Sequence, residues 1–239
     1  SAEINMKILQ KGFNYSQDGP GNRLVYHLQG CNFKCKWCSN PESMSLDFDG
    51  AKDYTPEEII GEIKRSRMMF FDGGGVTFTG GEPTMQYDDL LCVLKMCRES
   101  EIGTAIETNG SHPRLFEMSK YIDYMIMDIK CPDDEVHKKY TGHSNLETLK
   151  NFKRLTLSGR QLHLRIPLIN HVNTNPEPFN KLFSSVNMQN VKLEILPYHE
   201  YGKCKWISEY EITDGFVSED TLKAFTEAMQ SHGINLIKT

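Results

Sequence analysis

From about residue 23 onward the chain alternates between two hydrophobic patterns. Residues 23–29 (RLVYHLQ) alternate in polarity and are rich in strand formers, which predicts a strand running into Gly30 and Cys31. Thr55-Pro56-Glu57-Glu58 reads as a helix start, with Thr55 as N-cap, Pro56 at the first helical position and Glu58 closing a capping box. That helix is expected to reach about Phe70. A buried strand at 75–79 (GVTFT) ends at Gly80-Gly81-Glu82-Pro83, and a helix follows over about 87–100. The next strand is 104–107 (TAIE), then a Thr108-Asn109-Gly110 turn, a short helix near 113–120 and a strand at 122–129. Ser144 and Glu147 form a second capping box, and Gly159 caps the end of that helix. Strands at 161–168 and 191–196 flank a helix near 176–187. A last helix begins at Ser218 and ends at Gly233, with a short strand over 234–237.

This strand–helix alternation predicts an α/β fold with a parallel sheet and helices outside it. Six main units fall short of the eight in a closed barrel. The expected architecture is an open or partial (β/α)6 TIM-like barrel; a doubly wound sheet is the alternative that the same pattern allows. No low-complexity run or Pro/Gly/Ser linker divides the chain, so residues 1–239 are expected to form a single domain.

Composition narrows the function classes. The 239 residues are 38% hydrophobic and 10% aromatic, enough for a substantial core. Net charge is -5 and no basic patch stands out, so no nucleic-acid partner is expected. No apolar run approaches a membrane span, and Ser1-Ala2-Glu3 begins no signal peptide. Seven cysteines, an odd count with three clustered, suit a reducing cytoplasm better than a disulfide scaffold. A cytoplasmic monomer is the expectation. Cys92 and Cys97 fall in a helix-like segment and read as packing residues; Cys131 and Cys204 are scattered.

The three clustered cysteines carry the chemistry. Cys31, Cys35 and Cys38 are spaced Cys-x3-Cys-x2-Cys, straight after a strand and a Gly. Thiolates are soft ligands, and three this close favour a soft metal centre. A four-iron, four-sulfur cube is normally held by four thiolates, so three would leave one iron open for substrate. Zinc would want a fourth ligand, and no Cys or His completes a second local pair. Buried thiols that only pack are the remaining reading.

Ligands of parallel α/β folds bind at the carboxyl ends of the strands. The successive strand ends carry the cysteine cluster, Gly80-Gly81-Glu82, Glu107-Thr108-Asn109, Asp128 with Lys130, and Pro197-Tyr198-His199. Arg165 sits within an otherwise apolar strand. Each group has an ordinary structural explanation: a tight glycine turn, an isolated Asp128–Lys130 ion pair, an arginine beside a neighbouring carboxylate, a loop histidine. Their coincidence on one expected rim argues for a common site.

These residues resemble the radical S-adenosylmethionine (SAM) superfamily, on the three-cysteine motif with its aromatic before the last Cys and on Gly80-Gly-Glu-Pro83. Asp18-Gly-Pro-Gly21, Gln29-Gly30-Cys31, Ser39-Asn40-Pro41, Glu107-Thr108-Asn109-Gly110, Met127-Asp128-Ile129-Lys130 and Leu196-Pro-Tyr-His-Glu200 narrow the resemblance to the activating enzymes of glycyl radical enzymes, of the pyruvate formate-lyase type. The resemblance covers about residues 8–238. It implies a partial barrel of the radical SAM type and one [4Fe-4S] cluster held by Cys31, Cys35 and Cys38. It implies SAM on the fourth iron, cleaved reductively to a 5′-deoxyadenosyl radical that abstracts a hydrogen from a partner's glycine. It places Gly80, Gly81 and Glu82 at the methionine amino group, and Trp37, Cys38 and Ser39 beside the adenosine. Asp128, Ile129 and Lys130 would line the cofactor, Lys130 and Arg165 would face its anionic end, and His199 would sit near the nucleoside. Asp18, Gly19, Pro20 and Gly21, in a turn within 14–22, would contact the incoming glycine loop. A flavodoxin or ferredoxin would donate the electron. No side-chain acid or base is required, so no catalytic residue is expected beyond the cluster.

Two departures from the family pattern matter. The pyruvate formate-lyase type has Asp where this chain has Glu107, which bears on a monovalent cation held by Glu107, Thr108 and Asp128. Residues 39–55 contain no cysteine, so the ferredoxin-like insert of other activators is not expected. A valine at position 81 is expected to keep the cluster and block SAM. Two other classes stay open: a radical SAM enzyme acting on a small molecule or free peptide, and a zinc-binding interaction module using the cysteines with His27 or His199.

Overall fold

A computed structural model describes residues 5–47 and 49–238; the Ser1-Ala2-Glu3 start lies outside the described residues. The chain gathers into two compact units. Among the described residues, one holds 5–32, 42–108 and 114–126, the other 33–41, 109–113 and 127–238.

The first unit runs β1 (Met6–Tyr15), β2 (Asn22–Leu28), β3 (Lys52–Tyr54), α1 (Pro56–Arg65), β4 (Gly75–Gly80), α2 (Tyr87–Glu99), β5 (Thr104–Thr108) and α3 (Leu115–Met118), then enters β6 (Tyr124–Asp128). Its strands lie in the order β3-β1-β2-β4-β5. β2, β4 and β5 are parallel, and β1 is antiparallel to both its neighbours. Strand alternation sorts the side chains onto two faces. On one, Tyr26 stacks on Phe78 at 5.7 Å and donates its hydroxyl to Glu62 of α1 at 2.7 Å. Leu24, Leu28, Val76 and Ile106 share that face and are buried, as are Ile59 and Ile63 of α1 and Leu90, Leu94 and Cys97 of α2. Each such Val, Leu or Ile side chain contributes about 1.5–3 kcal/mol by leaving water. The other face carries polar groups bonded to one another: Arg23 to Thr77 at 2.6 Å and Thr79 to Glu107 at 2.9 Å.

The second unit takes up the end of β6, then α4 (Asp134–Thr141), α5 (Leu146–Leu157), β7 (Leu162–Leu168), α6 (Glu177–Ser184), β8 (Val191–Pro197), α7 (Glu219–Gln230) and β9 (Asn235–Ile237). β7, β8 and β9 are parallel. Phe152, Phe179, Phe183 and Phe225, all buried, join α5, α6 and α7 through ring contacts of 5.4–6.1 Å.

The six expected strands correspond to β2, β4, β5, β6, β7 and β8, in a mixed α/β fold whose sheet is not closed. The Thr55–Glu58 capping box forms, with bonds of 3.2 and 2.8 Å. The helix ends sooner than expected, at Arg65, and a 3-10 turn over Arg67–Met69 completes the stretch. The box from Ser144 to Glu147 does not form. Ser144 donates to Asp134 at 2.7 Å, and the helix starts at Leu146 behind Asn145. Three elements had no strong pattern. β1 has a register shift between Ile8 and Gln10 that breaks its alternation. β3 is only three residues long. α4 (DEVHKKYT) has no apolar stripe; its signals are the Asp133 N-cap and Gly142, at φ +72, as C-cap.

Candidate active site

In the first unit the candidate groups gather where β2 and β4 finish. Leu28 pairs with Gly80 in register. Beyond that pair the ladder continues: Gly81 N donates to Leu28 O at 2.9 Å, and Glu82 N to Gly30 O at 2.8 Å. Gly30 and Cys31 then donate to Ser43 O and Met44 O at 2.8 and 3.1 Å. Buried Gln29 anchors the same return loop through its amide on Glu42 O at 2.8 Å and on Ser45 O. The Gly-Gly-Glu turn is therefore stitched to the start of the cysteine stretch.

Gly80 has φ +118, a conformation open to glycine. At Gly81 the constraint is steric: a Cβ would lie 2.3 Å from Gly30 O and 2.8 Å from Ser43 O. This corrects the expectation for valine at 81. The neighbour that demands glycine is the protein's own backbone, so a side chain there disturbs the loop before it could block a ligand. Glu82 is buried, and its Oε1 accepts from Thr84 N at 3.1 Å, Thr84 Oγ1 at 2.5 Å and Thr108 Oγ1 at 2.7 Å. Its carboxylate braces the ends of β4 and β5 together.

Asp18, Gly19, Pro20 and Gly21 lie elsewhere in this unit, before β2, where Arg23 pairs with Gly75 at the amino end of β4. Five residues of strand separate that pair from Leu28 and Gly80, about 17 Å at the usual rise. Arg23, missed from sequence, holds the turn. It is buried and donates to Pro20 O at 3.1 Å, Val76 O at 2.7 Å and Thr77 Oγ1 at 2.6 Å. Thr77 in turn donates to Asp18 O at 2.7 Å. Burial lowers the Arg23 pKa to about 10, against the pull of Asp123 and Asp18, so the group stays cationic at neutral pH.

In the second unit the stretch containing Cys35, Trp37, Cys38 and Ser39 is fixed from two sides. Lys34 N and Lys36 N donate to Thr141 O and Tyr140 O, at 2.7 and 3.0 Å, at the end of α4. Phe33 is buried against the His137 and His143 rings at 5.2 and 5.1 Å. From the other side Trp206 Nε1 donates to Cys38 O at 3.0 Å, and Lys205 reaches Asn40 Oδ1 at 2.8 Å. Gly202 abuts Ser39 so closely that a Cβ would fall 2.3 Å from its Cα. Trp37 packs against buried Ile169, Tyr198 and Ile212. Cys38 N turns back to Cys35 O at 3.0 Å, and Asn40 N donates to Cys38 Sγ at 3.4 Å. None of the three motif cysteines is in a disulfide; Cys35 is buried, Cys31 and Cys38 half-buried.

The support of this loop has an acid limit. Asp134, in the first turn of α4, is held down to a pKa of about 2 by hydrogen bonds from Lys138 and then Ser144. A carboxylate depressed in the folded state stabilises above its ordinary value, 3.8, and loses that contribution as pH falls through about 2. Asp134→Asn is expected to flatten the stability loss between those two values, read as the denaturant midpoint of each protein from pH 5 to pH 2.

Asp128 and Lys130 form an ion pair at 2.7 Å, with Lys130 largely buried. Ile129 between them is buried and donates its N–H to Arg165 O at 3.0 Å. Arg165 Nε donates to Glu194 Oε2 at 2.8 Å, and His163 Nε2 sits 3.0 Å from the same oxygen. Glu194 and His163 were not singled out from sequence; their signal is the register that sets Arg165 beside Glu194. His199 is exposed and stacks on Tyr201 at 4.4 Å. Of the three suggested cation ligands, Glu107 accepts from Thr79, Thr108 donates to Glu82, and Asp128 already faces the Lys130 ammonium.

Residues 25–182 match the Radical SAM superfamily. The 4-hydroxyphenylacetate decarboxylase activating enzyme of Clostridioides difficile (strain CD196) is 32% identical, over 91% of this chain and 90% of its own length. The pyruvate formate-lyase-activating enzyme of Clostridium pasteurianum is 36% identical, over 81% of each chain. The chain belongs to the radical SAM superfamily, among its glycyl radical enzyme activating enzymes. A solved radical SAM methyltransferase from Sphaerobacter thermophilus superposes with a TM-score of 0.67 at 15% identity, over 95% of this chain and 72% of its own. That likeness gives this radical SAM protein the fold of a partial TIM-like barrel.

Members of the superfamily carry a [4Fe-4S] cluster and SAM. The residues present fit the cluster. Three cysteines within one eight-residue stretch, none of them in a disulfide, are soft thiolate donors. Among the described residues no three His, Cys, Asp or Glu side chains gather as ligands of a single metal ion. No helix among the described residues is long and apolar enough to cross a membrane.

Proposed function

We propose that this chain activates a glycyl radical enzyme. The observation that carries the reading is similarity to activating enzymes over 81–91% of the chain, joined to an intact Cys31, Cys35, Cys38 set. Bound there, the cluster and SAM supply a one-electron cleavage that yields a 5′-deoxyadenosyl radical able to take a hydrogen from a partner glycine. The chain's own residues bind and align. Cys31, Cys35 and Cys38 hold iron. The Gly80 and Gly81 backbone receives the methionine end, with Glu82 keeping the turn in shape. Lys130 and Arg165 face the anionic end of SAM, and Trp37, Ser39 and His199 border the nucleoside. Asp18, Gly19, Pro20 and Gly21, set by Arg23, meet the partner's loop.

A partner of the pyruvate formate-lyase type is supported by the cysteine-free stretch 39–55. It is also supported by inserted segments: the alignment with the decarboxylase activator runs to 287 positions over 91% of this chain, more than its 239 residues, so that relative carries stretches this chain lacks. A flavodoxin or ferredoxin in a reducing cytoplasm would supply the electron. Anaerobic reconstitution is expected to give about four irons per chain. Adding reductant, SAM and pyruvate formate-lyase is expected to give a glycyl radical by electron paramagnetic resonance. SAM turnover that ignores every protein partner would point instead to a small-molecule or free-peptide substrate.

A further inference from the structure

Glu194 is a carboxylate placed where a strand sheet normally holds an apolar residue. On β7, Leu162, Leu164, Ile166 and Leu168 are buried on one face, and His163 and Arg165 occupy the other. The parallel register sets Arg165 directly beside Glu194 of β8. The Glu194 side chain is only 2% exposed, that of His163 1% and that of Arg165 12%. A carboxylate this deep is costly unless it is paired, and its Oε2 accepts from Arg165 Nε at 2.8 Å and from His163 Nε2 at 3.0 Å. A carboxylate oxygen only accepts, so the His163 proton is on Nε2.

The choice of Nε matters. It is the innermost donor of a rigid planar fork, so a bond through it fixes the plane in which the terminal nitrogens lie. His163, one strand step before Arg165 on the same face, fixes the carboxylate from below. We propose that Glu194, steadied by His163, is a positioning residue that presets the Arg165 guanidinium for the carboxylate of SAM. This rests on the reading of Arg165 given above. The arrangement spares Arg165 the loss of rotamer freedom on binding and lets planar charge-assisted bonds form without rearrangement.

The test uses reconstituted holoprotein and two probes, SAM and its analogue lacking the α-carboxylate, with affinity measured by equilibrium dialysis. Glu194→Gln keeps the volume and removes the charge. Glu194→Asp keeps the charge in the core and withdraws it by one carbon, should the first variant not fold. Both are expected to weaken SAM about tenfold, as loss of a partner that orients a ligating group does, and to bind the analogue like the parent. Arg165→Lys is expected to weaken SAM similarly and to be non-additive with Glu194→Gln. If Arg165→Lys weakens SAM while both Glu194 variants bind it normally, the positioning role falls and the Arg165 reading stands. If Arg165→Lys binds SAM normally, both fall. Equal weakening of SAM and the analogue in the Glu194 variants would mean general damage and would also overturn the proposal.

Discussion

Replacing Cys35 with alanine abolishes iron retention and SAM cleavage together. Cys35 is the buried member of the three motif thiols, and its loop is pinned by backbone bonds from Lys34 and Lys36. Burial pushes the Cys35 thiol up to about 12; Lys130 pulls it down, and Cys38 and Asp128 push it further up. Without iron the thiol is therefore protonated at neutral pH, and ligation must expel that proton. Cluster assembly should accordingly release protons and run further as pH rises. Alanine leaves two thiols of the motif for a centre that takes three. Iron and sulfide content is expected to fall from about four per chain to below about one, with loss of the brown colour. The Phe33 wedge and the α4 bonds do not involve the thiol, so the far-ultraviolet spectrum should be unchanged. A Cys35→Ala protein that kept its cluster would remove the motif from the centre of the function.

Much of this was legible in the sequence, for identifiable reasons. β4 and β7 were visible because a parallel strand buried in a sheet reads as a compact apolar run. The cysteines were visible because ligand type and spacing are local. Arg165 stood out as a charge in an apolar strand, but its partner is 29 residues away and was invisible until the register was known. The same holds for Trp206, which reaches Cys38 O across 168 residues, and for Gly202 against Ser39. The Ser144 box failed because the Ser144 oxygen accepts from Leu146 N, two residues on, while its proton goes to Asp134, ten residues back. Residue type foretold which positions carry chemistry; it could not foretell which second residue holds each in place.

Gly81 shows how that distinction changes an expected phenotype. Gly81→Ala is expected to destabilise the whole first unit rather than to act on SAM alone. The added Cβ meets backbone at 2.3 Å (Gly30 O), 2.7 Å (Gly30 C) and 2.8 Å (Ser43 O), and none of these can swing aside as a side chain would. Relief requires β4 to part from the end of β2. That costs the bonds Gly81 N to Leu28 O and Glu82 N to Gly30 O, and then loosens Gly30 and Cys31 from Ser43 and Met44. Overpacking of this kind costs on the order of 3 kcal/mol, which lowers the melting temperature of a chain this size by roughly 6–12 °C. Because Cys31 hangs from the same ladder, iron retention should fall with stability. Gly12→Ala is the control: nothing lies within 4 Å of a Cβ there, so it should melt like the parent, within about 0.5 kcal/mol. If Gly81→Ala kept its melting temperature and its iron but lost SAM affinity, the glycine would be answering to the cofactor and not to Gly30.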